Sequence, residues 1–136
     1  YSQKIKDLQN KCRLEIESVP LSKRKMVVAH NSFQYFAQEF KVEILSPSLT
    51  NSDENISLPV LAQLIQKIRT ESIKALFYEK SSSKQMMDRI SQEVSGTIAG
   101  TLYSDSLSRN NEASTYLKML EYNCHMISQS MKGAPR

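Results

Sequence analysis

Four short apolar runs, separated by segments with helical spacing, constrain this chain more than anything else in it. Met26-Val27-Val28-Ala29 is apolar without alternation and β-branched at its centre, as a strand buried on both faces must be. Residues 42–45, 74–78 (Lys-Ala-Leu-Phe-Tyr) and 97–103 read as three further strands. Between and around them run helical stripes. Ile5, Leu8, Cys12, Ile16 and Val19 form one apolar stripe over residues 2–18, which Pro20 ends. Asn31 or Ser32 can cap a second helix whose aromatic face is Phe33, Tyr35, Phe36 and Phe40. Pro59 opens a third, with Leu61, Leu64, Ile65 and Ile68 facing inward. Residues 81–83 offer caps for a fourth, with Met86, Met87, Ile90 and Val94 facing inward and Gly96 as its stop. Leu117, Leu120, Cys124, Ile127 and Met131 mark a last helix over about 113–131. Strands alternating with helical crossovers build right-handed βαβ units. The expected fold class is therefore α/β: a four-stranded, mainly parallel sheet flanked by helices.

The chain is long enough for one domain with a real core: 136 residues, 40 % apolar and 24 % charged. No apolar run approaches the roughly 20 residues that span a bilayer. The ends read as the start of a helix and a short tail, so a piece of something longer is expected. The net charge of +4 is mild. Lys23, Arg24 and Lys25 are its only tight basic cluster, and without interleaved aromatics they read as a solvated loop, not a nucleic-acid surface. Met86 and Met87 read as core filler and not as a soft-metal box. Cys12 and Cys124 have no metal-ligand spacing, and two buried thiols or one long-range disulfide both fit them.

The chemistry collects at the strand ends. His30 follows the first strand, Glu79 the third, and Asp105 lies just past the fourth. Carboxyl ends of parallel strands share one edge, where open α/β sheets bind their ligands. A neutral imidazole with a hard carboxylate suits Zn²⁺, Mn²⁺ or Fe²⁺, but two or three such ligands do not close a site. Nucleophilic hydrolysis has no support, because there is no Gly-x-Ser-x-Gly elbow. Three glycines in all leave no phosphate-cradling loop. His125, off the apolar stripe of the last helix, reads as a surface residue. The alternative reading is a small α/β metal-dependent hydrolase using His30 and Asp105. A receiver-like signalling domain would want an acidic cluster where His30 stands.

Val19-Pro20 ahead of His30-Asn-Ser-Phe-Gln-Tyr-Phe36, then Phe77-Tyr78-Glu79, Tyr103-Ser-Asp-Ser-Leu107 and Tyr116-Leu-Lys-Met-Leu-Glu-Tyr-Asn123 carry a resemblance. In this order they resemble the TroA-like (cluster A-I) solute-binding proteins of zinc, manganese and iron ABC transporters. The resemblance covers essentially the whole chain but only the carboxy-terminal lobe of a two-lobed fold. In that fold one long helix joins the lobes and a metal is held between them by two ligands from each. It implies that residues 1–19 are the end of the linking helix and 20–136 the carboxy-terminal metal-binding lobe. His30 then matches the third ligand and Asp105 the fourth, while Glu79 supports them without ligating. The first two ligands belong to an amino-terminal lobe with no counterpart here, so the site in this piece is expected to be incomplete. The implied function is capture of a divalent transition metal and its delivery to an ABC permease, with no catalysis. The implied place is periplasmic or extracytoplasmic, with a membrane anchor through a missing amino terminus. The loop before Pro59 departs from the family's usual acidic-small-Pro pattern.

Overall fold

The element order is α1 (Ser2–Glu17), β1 (Lys25–Val27), α2 (Gln34–Phe40), β2 (Glu43–Leu45), α3 (Leu58–Glu71), β3 (Phe77–Glu79), α4 (Gln85–Glu93), β4 (Gly100–Leu102) and α5 (Ala113–Lys132). This is a computed structural model, and it describes residues 2–29, 33–47, 57–80, 84–103 and 113–133. Strands β1 and β2 pair in parallel, Met26 opposite Ile44, and so do β3 and β4, Tyr78 opposite Thr101. A parallel bridge between Val27 and Leu76 joins the two pairs, with the Val27 amide donating to the Ala75 carbonyl at 2.8 Å. The strands therefore run in the order β2-β1-β3-β4, all parallel, as the alternation of strands and helices requires.

The unbroken apolar run at β1 has a direct cause. Successive side chains point to opposite faces of a strand. Met26 and Val28 enter a core with Cys12, Ile16, Phe36, Phe40 and Ile127, from α1, α2 and α5. Val27 and Ala29 enter a second core with Leu61, Leu64, Ile68, Met87 and Ile90, from α3 and α4. Ala75 and Leu76 split between the same two cores. With α2 on one face and α3 and α4 on the other, the chain leaves β1 first toward β2 and later toward β3. The reversal falls between β1 and β3.

Helix ends are where the sequence misleads. The residue at the N-cap of α2 is Phe33 and that of α4 is Lys84, and neither makes a side-chain cap bond. The expected caps at Asn31, Ser32 and 81–83 lie outside the described residues. Pro59 does sit in the first turn of α3. After α4 it is Ser95, at φ 54°, that takes the left-handed turn expected of Gly96; Lys41 and Ser72 do the same after α2 and α3.

The two cysteines, left open by the sequence, form a disulfide between α1 and α5 with Cα atoms 5.5 Å apart. Around it Lys11 pairs with Glu121 at 3.3 Å, and Glu15 accepts from Ser128 Oγ at 3.4 Å. His125 is exposed, as expected, with Nδ1 3.4 Å from Glu15. The basic cluster is not wholly the loop expected of it: Lys23 ends a short 3₁₀ helix at Leu21–Lys23, and Lys25 opens β1 and pairs with Glu71. That pairing holds the Glu71 carboxyl below its ordinary range.

Gly100 tests how closely α5 packs on β4. A Cβ there would meet Met126 Cε at 2.5 Å. Overpacking of this kind costs about 1–3 kcal/mol, and a flexible thioether keeps the cost near the low end. Gly100→Ala should thus lower stability by about 1 kcal/mol in urea denaturation. Adding Met126→Ala should make the double variant less destabilised than the sum of the two.

Candidate metal site

The carboxyl edge of the sheet is built by the residues at which each strand lets the chain go. Past β1 the chain runs on through Val28 and Ala29, 0 % and 2 % exposed, so it reaches position 30 from a buried stem. The Val28 amide donates to the Leu45 carbonyl at 3.1 Å, and Ser46 Oγ donates to the Ala29 carbonyl at 2.7 Å. At the far edge Lys80 N donates to the Leu102 carbonyl at 2.8 Å, locking the ends of β3 and β4 together. Tyr103, next after β4, exchanges two hydrogen bonds with the side-chain amide of Asn123 on α5.

Of the residues expected at the site, Glu79 is the one the structure describes. It closes β3, is 4 % exposed, and is not left without a partner. Its neighbour Tyr78 donates its hydroxyl to Asp88, and that bond, with some burial, pushes the phenol above its ordinary value. The Tyr78 hydroxyl is thus a neutral donor turned toward α4. His30 and Asp105 lie outside the described residues. Among the described residues no group of three or more His, Cys, Asp or Glu side chains is placed to hold a metal. The described chain nevertheless runs up to both positions on one edge: Ala29 past β1 at the switch point, and Tyr103 past β4. In open α/β sheets the crevice at that reversal is where ligands sit.

Ser46 was not singled out from the sequence, and Asn123 entered only as the last residue of the Tyr116–Asn123 motif, with no role given to it. Asn123 had a signal all the same: it adjoins the apolar stripe of α5 beside Cys124, three residues from Leu120 and four from Ile127, and it is 6 % exposed. A buried amide must satisfy both its donor and its acceptor. Ser46 had none, being one serine among several in a polar loop. A cavity of about 450 Å³ lined by Ile68, Arg69, Lys74, Thr97 and Ser130 lies at the opposite, amino edge.

The parallel sheet, with its reversal between β1 and β3 and helices on both faces, is that of a doubly wound α/β lobe. Residues 1–130 match the model of the family described as ZnuA, zinc-uptake complex component A, periplasmic, and the chain belongs to that family. It is 27 % identical over 138 residues to the manganese-binding lipoprotein MntA of Bacillus subtilis, covering 97 % of this chain and 45 % of that protein. It is 24 % identical over 132 residues to the metal ABC transporter substrate-binding lipoprotein SsaB of Streptococcus sanguinis, covering 96 % and 43 %. The manganese-bound periplasmic metal-binding protein of Candidatus Liberibacter asiaticus superposes with TM-score 0.80 at 30 % identity, over 96 % of this chain and 48 % of its own. The periplasmic zinc-binding protein TroA of Treponema pallidum shares the fold, with TM-score 0.83 at 24 % identity, over 99 % and 50 %. The chain spans about half the length of these relatives. The family is one of solute-binding proteins and not of enzymes, and the hydrolase alternative finds no support in it. No helix among the described residues is long and apolar enough to cross a membrane.

Proposed function

We propose that this chain is the carboxy-terminal lobe of an extracytoplasmic receptor that captures a divalent transition metal and delivers it to an ABC permease. Residues 1–19 are the end of the helix that links this lobe to an amino-terminal one, and residues 20–136 are the lobe itself. His30 and Asp105 are its two ligands, and Glu79 supports the edge on which they stand. Zn²⁺, Mn²⁺ and Fe²⁺ all suit an imidazole with a carboxylate. The relatives named for manganese and zinc support the first two of those ions by analogy. The same reading puts the receptor outside the cytoplasmic membrane, held by an anchor ahead of this chain, and the two relatives named as lipoproteins support it.

The observation that carries this reading is topological. The chain leaves β1 and β4 on the same edge of one parallel sheet, and the ligand residue types stand one position past Ala29 and two past Tyr103. The test is calorimetry on the complete gene product that carries this chain, preceded by elemental analysis of protein purified without added metal. His30→Ala and Asp105→Ala should each weaken binding of the native metal about a hundredfold, or about 2.7 kcal/mol. The unfolding midpoint of the metal-free protein should stay where it is, because neither residue belongs to the apolar runs and stripes that the sequence marks as core. Wild-type affinity in both variants would falsify the ligand assignment.

A further inference from the structure

The fourth strand is at the edge of the sheet, and its last paired residue, Leu102, faces Glu79. One residue on, Tyr103 has run out of strand, yet both of its backbone groups are held. Its amide donates to Asn123 Oδ1 at 3.2 Å, and its carbonyl accepts from Asn123 Nδ2 at 2.8 Å. A carboxamide has the donor and acceptor of a peptide unit, so Asn123 extends the sheet by one rung from the side of α5. The neighbouring Tyr122 ring meets the Tyr103 ring edge-on at 5.5 Å. Backbone and ring of Tyr103 are therefore both fixed by α5, the helix that the disulfide also ties to α1.

Asp105 follows two residues later. Two residues of chain reach at most about 7 Å, so a fixed Tyr103 confines where the Asp105 backbone can go. We infer that Asn123 is a positioning residue of the metal site: by holding Tyr103 from both sides it sets the direction in which the chain leaves β4 and preorganises the Asp105 carboxylate. This rests on Asp105 being a ligand. Groups that orient a ligand without touching the metal govern affinity because a carboxylate free to swing must be ordered when the ion binds.

The experiment uses the complete gene product, titrated with Zn²⁺ against a competing chelator. Co²⁺ serves as a second probe, because its d–d absorption reports ligand geometry. Asn123→Ala should weaken Zn²⁺ binding about 10–100-fold and change the Co²⁺ spectrum. Amide hydrogen exchange at Tyr103 in the metal-free protein should speed up. Asn123→Leu is close to isosteric, suits the apolar surroundings and removes both partners of Tyr103 without adding a charge, so it should weaken binding by a similar factor. It decides the matter by the same criteria if Asn123→Ala does not fold. A variant that keeps wild-type Zn²⁺ affinity and the wild-type Co²⁺ spectrum, while Asp105→Ala loses both, overturns the inference and leaves the ligand assignment standing. If Asp105→Ala itself binds as wild type does, the ligand assignment fails and the inference falls with it.

Discussion

Removal of the Cys12–Cys124 bridge is expected to lower the stability of this chain by about 5 kcal/mol, because it frees a loop of 112 residues in the unfolded state. Domains of this size are stable by only about 5–15 kcal/mol in all, so the loss is a third or more of the total. It corresponds to a fall in Tm on the order of 15 °C. The folded state contributes little to the difference. Both cysteines are at most 2 % exposed and sit in one apolar cluster with Ile16 and Ile127, where reduced thiols pack as small hydrophobes. Cys12→Ala with Cys124→Ala is the cleaner comparison, since serine would bury two hydroxyls. Urea denaturation of the oxidised wild type, the reduced wild type and the double variant separates the contributions. Coincident midpoints for the oxidised and reduced proteins would refute the expectation. A bridge between the first and last helices also suits an oxidising compartment.

What the sequence revealed of this fold followed from burial. Met26 to Ala29 could be read as a strand because both faces of β1 are covered, leaving no polar position to blur the run. The stripe of α5 was legible for the same reason, with Ile127 0 % exposed and Cys124 1 %. Strand ends were less so: β3 begins at Phe77 and not at Lys74, although the carbonyls of Ala75 and Leu76 already accept from Val27 and Ala99 across the sheet. Helix ends failed where the backbone replaced the expected side chain. Ser95 turns left-handed although Gly96 stands next to it, and the Gly96 amide donates to the Ser91 carbonyl at 2.8 Å. Whether two cysteines meet is a question of distance in space, and no spacing along the chain encodes it. The candidate site was legible only as residue types at strand ends. The side chains that steady those ends, Ser46 and Asn123, come from other elements, and their partners are backbone atoms that any residue could supply.

The isolated 136-residue chain is expected to bind Zn²⁺ or Mn²⁺ no tighter than roughly 10 µM, about −7 kcal/mol, and the complete gene product at least about a thousandfold tighter. On the proposed assignment this lobe supplies two ligands, His30 and Asp105, and water must then complete the coordination shell. Each water is held by the ion alone and exchanges freely, so its replacement by a fixed side chain is where affinity is gained. The frame for such a gain is visible here. A strand buried on both faces leads to position 30, and Tyr103 is held at two points ahead of position 105. Helix α1, which would carry the connection to another lobe, is bonded covalently to α5, the helix that holds Tyr103. Ligands arriving from the far end of that helix would therefore meet this edge at a fixed distance, and little entropy would remain to be lost on binding. Two further ligands at about a hundredfold each exceed the factor of a thousand, which is about 4 kcal/mol. Calorimetry on both proteins at the same pH and ionic strength makes the comparison, with circular dichroism to verify that the isolated chain is folded. Equal affinities would mean that this lobe alone closes the site, and the two-lobed reading of its metal chemistry would have to be abandoned.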